Sequence, residues 1–251
     1  MTAGMSATIV PLGKSTKKKD AKTKDDWTLP FRPRVLTTNE RQQRDLYVFY
    51  SPRNHRVVQI VEAINFALSL NFDFNPRLEC YVERPRRINL TAKRQIDISF
   101  WARDLEGKES FYLTIPASET IPAYGGDVVA CERELIDDAA KRHGIKIEYI
   151  FERDLVRHGD RLSLYFRLLP FVQSTRRIVC RSLIRDGIKE YFDAVPRASC
   201  HQLQQALPKY DRNHVQAVAA AMVHSGYLTV DNTSVFTLNT MLEREKVHAH
   251  D

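Results

Sequence analysis

Residues 96–102 (IDISFWA) place the strongest constraint on the fold. Ile96, Ile98 and Phe100 alternate with Asp97, Ser99 and Trp101, the period of two that a half-buried strand requires. Residues 104–107 supply a turn and residues 111–115 (FYLTI) a second strand, so residues 96–115 predict a β-hairpin. An ionised carboxylate on so apolar a strand needs a partner or a metal, which makes Asp97 the first candidate functional residue.

Elsewhere the period changes. Val57, Val61, Ile64 and Leu68 step by four, three and four, predicting an amphipathic helix whose flank carries Glu62. Residues 71–76 end it, and residues 78–82 alternate as a strand. Upstream, residues 27–50 read as an arm, with Pro30, Phe31 and Pro33 in extended chain and then a polar stretch over residues 37–44. Downstream of a loop at residues 116–126, Asp127 is positioned to cap a helix carrying Val128, Cys131, Leu135 and Ala139, closed by Gly144. Residues 145–151 predict a strand, and a short polar segment leads to residues 162–172. Helix, strand, hairpin, helix and strand in that order imply a mixed sheet with helices packed on it.

The last third is punctuated differently. Residues 178–192 are helical by their apolar pairs, Pro196 breaks them, and Ser199 caps residues 200–207 before Pro208. Asp211 caps a helix through Ser225 with Val215, Val218 and Met222 inward, closed by Gly226. Residues 227–230, a turn at Asp231-Asn232 and residues 235–238 predict a hairpin. Three helices and a two-stranded wing form a winged-helix pattern.

Composition narrows the class. The chain has 251 residues, and a hydrophobic fraction of 43% excludes a disordered polypeptide. No apolar run approaches the roughly 18–20 residues that span a bilayer. The N-terminus has no apolar signal core, so a secretory leader is not expected. Cys80, Cys131, Cys180 and Cys200 have no paired spacing and predict four buried thiols in a reducing compartment. His201, His214, His224, His248 and His250 lack metal-ligand spacing, Gly125-Gly126 is no phosphate loop, and no nucleophile elbow is present. The net charge is +7, of which residues 13–26, with six Lys and three Asp, supply +3 in a segment that reads as a disordered tail.

Two stretches of residues carry a resemblance. The first runs through Glu62, Phe72-Asp73-Phe74-Asn75-Pro76, Tyr81-Val82-Glu83-Arg84-Pro85, Arg94-Gln95-Ile96-Asp97 and the hairpin. The second comprises residues 135–145, Phe151-Glu152-Arg153-Asp154-Leu155 and residues 162–171 (LSLYFRLLPF). Over about residues 53–243 this order resembles TnsA, the endonuclease subunit of heteromeric cut-and-paste transposases. The resemblance implies an α/β fold, a restriction-endonuclease-like mixed sheet flanked by helices and followed by a helical, winged-helix domain. It divides the chain into a disordered basic tail (1–26), an arm (27–52), a nuclease-fold domain (53–172), a winged-helix domain (173–245) and a disordered end (246–251). It further implies a cytoplasmic protein, nucleoid-associated when bound to double-stranded DNA at transposon ends, with no membrane attachment. Its partners would be a DDE transposase and an AAA+ ATPase regulator.

In such a nuclease, carboxylates hold Mg²⁺, which activates water and stabilises the pentacoordinate phosphate. Glu62 and Asp97 take the first two catalytic and metal posts. The family's third post is an acid-x-Lys pair on the next strand, where side chains two apart share a face. Here residues 111–116 (FYLTIP) place it on Leu113/Ile115 or on Thr114/Pro116, and neither pair has a carboxylate or an amine. Its replacement requires a side chain such as Lys93, Lys108 or Glu119 to reach in from a neighbouring element. The expectation is a protein that binds transposon-end DNA with lost or weakened cleavage, needing Mg²⁺ only if active. The alternatives are an active Mg²⁺-dependent endonuclease cutting the 5′ strands at transposon ends, and a winged-helix transcriptional regulator. Arg84, Arg86, Arg87, Lys93 and Arg94 are the candidate DNA contacts. A second cationic group, Arg176, Arg177, Arg181 and Arg185, also suits phosphate. Arg212, Asn213 and Gln216, with Ala220 and His224, are the expected exposed positions of the winged-helix segment for partner or DNA docking.

Overall fold

The β-branched run Val57-Val58-Gln59-Ile60-Val61 favours a pleated, half-buried strand over a helix, and that preference decides the N-terminal third. In a computed structural model, which describes residues 27–123, 126–231 and 235–245, this run is a strand. Residues 27–30 belong to one unit (Met1–Pro30) and form no regular element; Phe31–Asp251 is a second unit. The tail (1–26), the chain end (246–251), Gly125 and Asn232 lie outside the described residues.

The supposed arm contains a helix, α1 (Thr38–Gln43), opened by a capping box between Thr37 and Glu40. It also contains a strand, β1 (Leu46–Ser51), antiparallel to β2 (Arg56–Val61). The expected helix over Val57–Leu68 is therefore overturned in its first half, and only α2 (Ala63–Asp73) follows. The steps of three and four were coincidental: Val58 and Ile60 bury one face of a strand while Val57 stays exposed.

Next come β3 (Leu78–Glu83), β4 (Arg87–Asn89), β5 (Gln95–Asp97), β6 (Phe100–Asp104) and β7 (Glu109–Ile115). The expected hairpin strand over residues 96–102 is broken at Ile98-Ser99. Gln95–Asp97 pairs with β4, and Phe100–Asp104 pairs with β3 and β7. The loop after β7 holds β8 (Thr120–Pro122), antiparallel to β9 (Val128–Ala130). Asp127 therefore does not cap a helix. The helix α3 (Arg133–Arg142) starts one turn later, and Gly144 closes it at φ +67°. After β10 (Ile147–Phe151) the polar segment is itself helical, as α4 (Glu152–Arg157), and leads into α5 (Gly159–Ser174).

The central sheet runs β10-β7-β6-β3, with β10 parallel to β7 and the other pairs antiparallel. It is a mixed sheet flanked by helices. Leu68 and Phe72 of α2 pack with Tyr81, Phe100, Ala102 and Tyr112 on one face. Ile136, Ala139 and Ala140 of α3 cover Leu113, Ile115 and Ile147 on the other.

A third core joins Leu70 and Phe74 to α5, α6 (Arg181–Ala194), α7 (Cys200–Ala206) and α8 (Arg212–His224). Ser199 caps α7 through a capping box with Gln202, and Asp211 caps α8, as the spacing predicts. β11 (Arg197–Ser199), β12 (Leu228–Val230) and β13 (Met241–Arg244) form a small sheet in the order β11-β13-β12. The second strand expected at residues 235–238 is displaced to Met241–Arg244, because Thr237 and Thr240 close a hydrogen-bonded turn there. Two cysteine expectations also fail: Cys80 and Cys200 are buried, but Cys131 is exposed and Cys180 half-buried, each beside the end of an element. No helix among the described residues is long and apolar enough to cross a membrane.

Candidate functional site

The break at Ser99 aims two polar side chains, Asp97 and Ser99, into a cleft of about 550 Å³ at one end of the central sheet. Glu62 reaches the same cleft from the N-cap of α2, so the two carboxylates singled out in the sequence share one depression. Thr114, Ser99 and Asn65 form a polar, uncharged patch in it, beside the buried Glu83 that pairs with Arg56. The Thr114 hydroxyl donates to Asn65 Oδ1 at 2.8 Å, the Ser99 hydroxyl lies 2.9 Å from it, and the Thr114 amide donates to Ser99 Oγ at 3.1 Å. The register is thereby settled: Leu113 and Ile115 enter the core against α3, and Thr114 and Pro116 face the cleft.

Each carboxylate is held by arginine. Arg34 and Arg87 both donate to Asp97, their Nε atoms each 2.9 Å from Oδ1. Arg34 also donates to Glu40, at 2.6 and 3.0 Å. Burial alone would push the Asp97 carboxyl up, but the bonds from Arg87 and Arg34 outweigh it and hold it below the usual range. The Arg34 hydrogen bond is the main cause that lowers Glu40 to about 2. Glu62 pairs with Arg44 at 2.9 Å on a more exposed side. Glu62 and Arg84, which also lines the cleft, have positive φ (73° and 45°), two of three such non-glycine residues described. Backbone held in this way costs about 1–3 kcal/mol per residue and clusters at functional sites.

Replacing Asp97 by Ala leaves two guanidiniums facing each other in a partly buried spot. The expected cost is about 1–3 kcal/mol, below that of a fully buried pair because the Asp97 side chain keeps 24% of its exposure. Since its carboxyl is depressed, this contribution is present above the unfolded value and fades as pH falls through the folded one. Urea melts of wild type and Asp97→Ala at neutral pH and near pH 3 check both statements.

The cleft does not suit the Mg²⁺ that the resemblance implies. Asp97 accepts from two guanidiniums and Glu62 from one, through a single oxygen. Among the described residues no group of three or more His, Cys, Asp or Glu is placed to hold a metal ion. Of the substitutes considered, Glu119 lines the cleft, as does Glu152, whereas Lys93 and Lys108 do not.

The candidate DNA contacts of the first cluster are scattered in their engagements. Arg84 is buried, donating to the carbonyls of Gln59 at 2.6 Å and Arg34 at 3.3 Å. Arg87 is bound to Asp97 and Arg94 to Glu132, while Arg86 lies against the His143 ring. Lys93 is exposed. In α8, Arg212 and Asn213 are exposed and Gln216 half-buried, but the expectation for the helix beyond them is corrected. Ala220 is fully buried, and His224 packs edge-on against Phe74, because α8 inserts between α5, α6 and α7.

Burial, aided by the nearby charges of Arg53 and His55, lowers His224 to about 3. The unfolded chain takes up this proton near pH 6.5 and the folded chain does not, so stability falls as pH drops below about 6.5. Between pH 7 and 5 this group alone removes about 2 kcal/mol. In His224→Gln, that increment of the acid loss should disappear from paired denaturation curves.

The residues that sequence reasoning missed are Arg34, Glu40, Arg44, Asn65 and Ser99. Arg34 and Asp97 are 63 positions apart, and no local spacing signals their meeting. Comparison of the sequence with models of known protein families and with curated proteins gives no match.

Proposed function

We propose that this chain is a TnsA-like subunit of a DNA-transposition machine. It binds transposon-end DNA and docks onto a DDE transposase and an AAA+ regulator, with its own strand cleavage lost or weakened. The observation that carries this reading is the shared cleft. Glu62 and Asp97, the two posts of the resemblance, lie 35 positions apart in sequence yet face one depression, while Thr114 stands where the third post would be. A mixed sheet flanked by helices is compatible with a restriction-endonuclease-like domain. The succession α6, β11, α7, α8, β12, β13, with strand order β11-β13-β12, is compatible with a winged helix.

Weakened cleavage follows from the charges. Thr114, at the third post, offers neither a carboxylate nor an amine, although Glu83, Glu119 and Glu152 also line the cleft, and arginines compete with any cation for Glu62 and Asp97. The regulator alternative is less well supported, because α8 has too little free surface to enter a major groove.

Purified protein, its transposase and end DNA incubated with Mg²⁺ test the reading. The expected result is transposition that requires the protein, with no 5′-strand cleavage attributable to it. Cleavage abolished by Asp97→Ala would establish the active endonuclease instead. Transposition indifferent to the protein would remove the reading altogether.

A further inference from the structure

The first arginine cluster, at residues 84–94, is largely neutralised by its own neighbours, which raises the question of where the free positive charge of the fold lies. One exposed group of it lies on the 3-10 turn Thr175–Arg177 and the helix after it. Arg181, Arg185 and Lys189 recur every four residues on α6, so they fall on one side of the helix, about 6 Å apart along its axis. Arg176 and Arg177 precede it on the turn. All five are exposed. Among the described residues one carboxylate pairs with the row: Asp186 lies 3.6 Å from Arg185, beside it in sequence, and the Lys189 ammonium lies 5.6 Å from the Tyr227 ring centre. Asp186 and Glu190 form their own row about 100° round the helix. Arg176 stacks over Tyr50, 3.7 Å from the ring centre, and among the described residues no carboxylate pairs with it.

We propose that this row, Arg176, Arg177, Arg181, Arg185 and Lys189, is a contact surface for the phosphate backbone of duplex DNA. Each strand presents one phosphate per about 3.4 Å of helix axis, so cations spaced about 6 Å apart can address separate phosphates. Arg181, Arg185 and Lys189 lie on the solvent side of α6, while Arg176 and Arg177 line open depressions beside α5, and regularly repeated cations fit the regularly repeated phosphates of a duplex. Because phosphate contacts position a duplex without reading its bases, the surface is sequence-tolerant. The inference rests on the DNA-binding part of the function proposed above and moves that contact from the 84–94 cluster to α6.

The test measures fluorescence anisotropy of a labelled random-sequence duplex across a salt series. Wild type is compared with a variant carrying Arg177→Gln, Arg181→Gln, Arg185→Gln and Lys189→Gln, and with a second carrying Lys93→Gln and Arg94→Gln. The first variant is expected to melt like wild type, to bind at least about tenfold more weakly, and to lose about 3–4 from the slope of log K against log salt, near 0.9 per contact. The second should keep the wild-type slope. An unchanged slope in the first variant, or loss confined to the second, overturns the inference while leaving DNA binding itself intact. Displacement of the duplex by polyglutamate of equal charge at equal concentration also overturns it and assigns the row to an acidic protein. A wild type that binds no duplex at any salt overturns both the inference and the DNA-binding part of the proposed function.

Discussion

Asp73→Ala is expected to cost about 3–5 kcal/mol, the range for removing one partner of a buried charge network. That loss lowers the melting temperature by about 10 °C for a chain of this size. Asp73, at the end of α2, is fully buried and accepts three hydrogen bonds: from Ser51 Oγ at 2.8 Å, the Arg53 amide at 3.1 Å and Tyr81 Oη at 2.7 Å. Arg53 in turn donates to the carbonyls of Asp73 and Leu78. The cluster fastens the turn between β1 and β2 to α2 and β3. Truncation leaves the Tyr81 and Ser51 hydroxyls buried without an acceptor, which is dearer than a missing bond between exposed groups. Burial pushes the Asp73 carboxyl up, and the bonds from Tyr81 and Ser51 oppose that shift. Asp73→Asn keeps one acceptor oxygen and should therefore cost clearly less than Asp73→Ala. Equal losses in the two variants, read by chemical denaturation, would show that the hydrogen bonds are not what matters.

Gly226→Ala is expected to cost about 2–5 kcal/mol, combining the left-handed backbone penalty with overpacking. Gly226 closes α8 at φ +78°, and a Cβ there would lie 2.7 Å from Pro76 Cβ and 2.9 Å from its Cγ. A proline ring cannot swing aside as the end of a long side chain would. Gly144 provides the control. It also has positive φ, +67°, but a Cβ would meet nothing within 4 Å, so Gly144→Ala should cost only about 1 kcal/mol. Thermal melts of the two variants side by side separate backbone strain from the clash.

Helix ends and turns were the legible part of the fold. Ser199 and Asp211 cap their helices, and Gly144 and Gly226 end theirs, because each signal acts within one turn of chain. Strands at Leu78–Glu83 and Glu109–Ile115 were legible for the same reason. Misreadings arose where two local patterns competed. Val57, Val61, Ile64 and Leu68 satisfy a helical period, yet pairing with Leu46–Ser51 made a strand of the first half. The alternation at residues 96–102 was real, but its halves joined different sheets, and no period of two reveals a change of partner.

The candidate site divides along the same line. Sequence alone determined that Asp97 interrupts an apolar strand and needs company, and that residues 111–116 have no acid-x-Lys pair in either register. Both are statements about neighbours along the chain. Only the tertiary structure decided that Glu62 and Asp97 share a cleft, that Thr114 lines it, and that Arg34, Arg44 and Arg87 hold the carboxylates. Ion pairs between side chains as far apart as 63 positions depend on how the sheet and the segment before it are packed, and packing is a collective outcome that no local spacing encodes. The free charge followed suit: both basic clusters look alike as letters, and burial with local pairing neutralised most of one while leaving the row on α6 facing solvent.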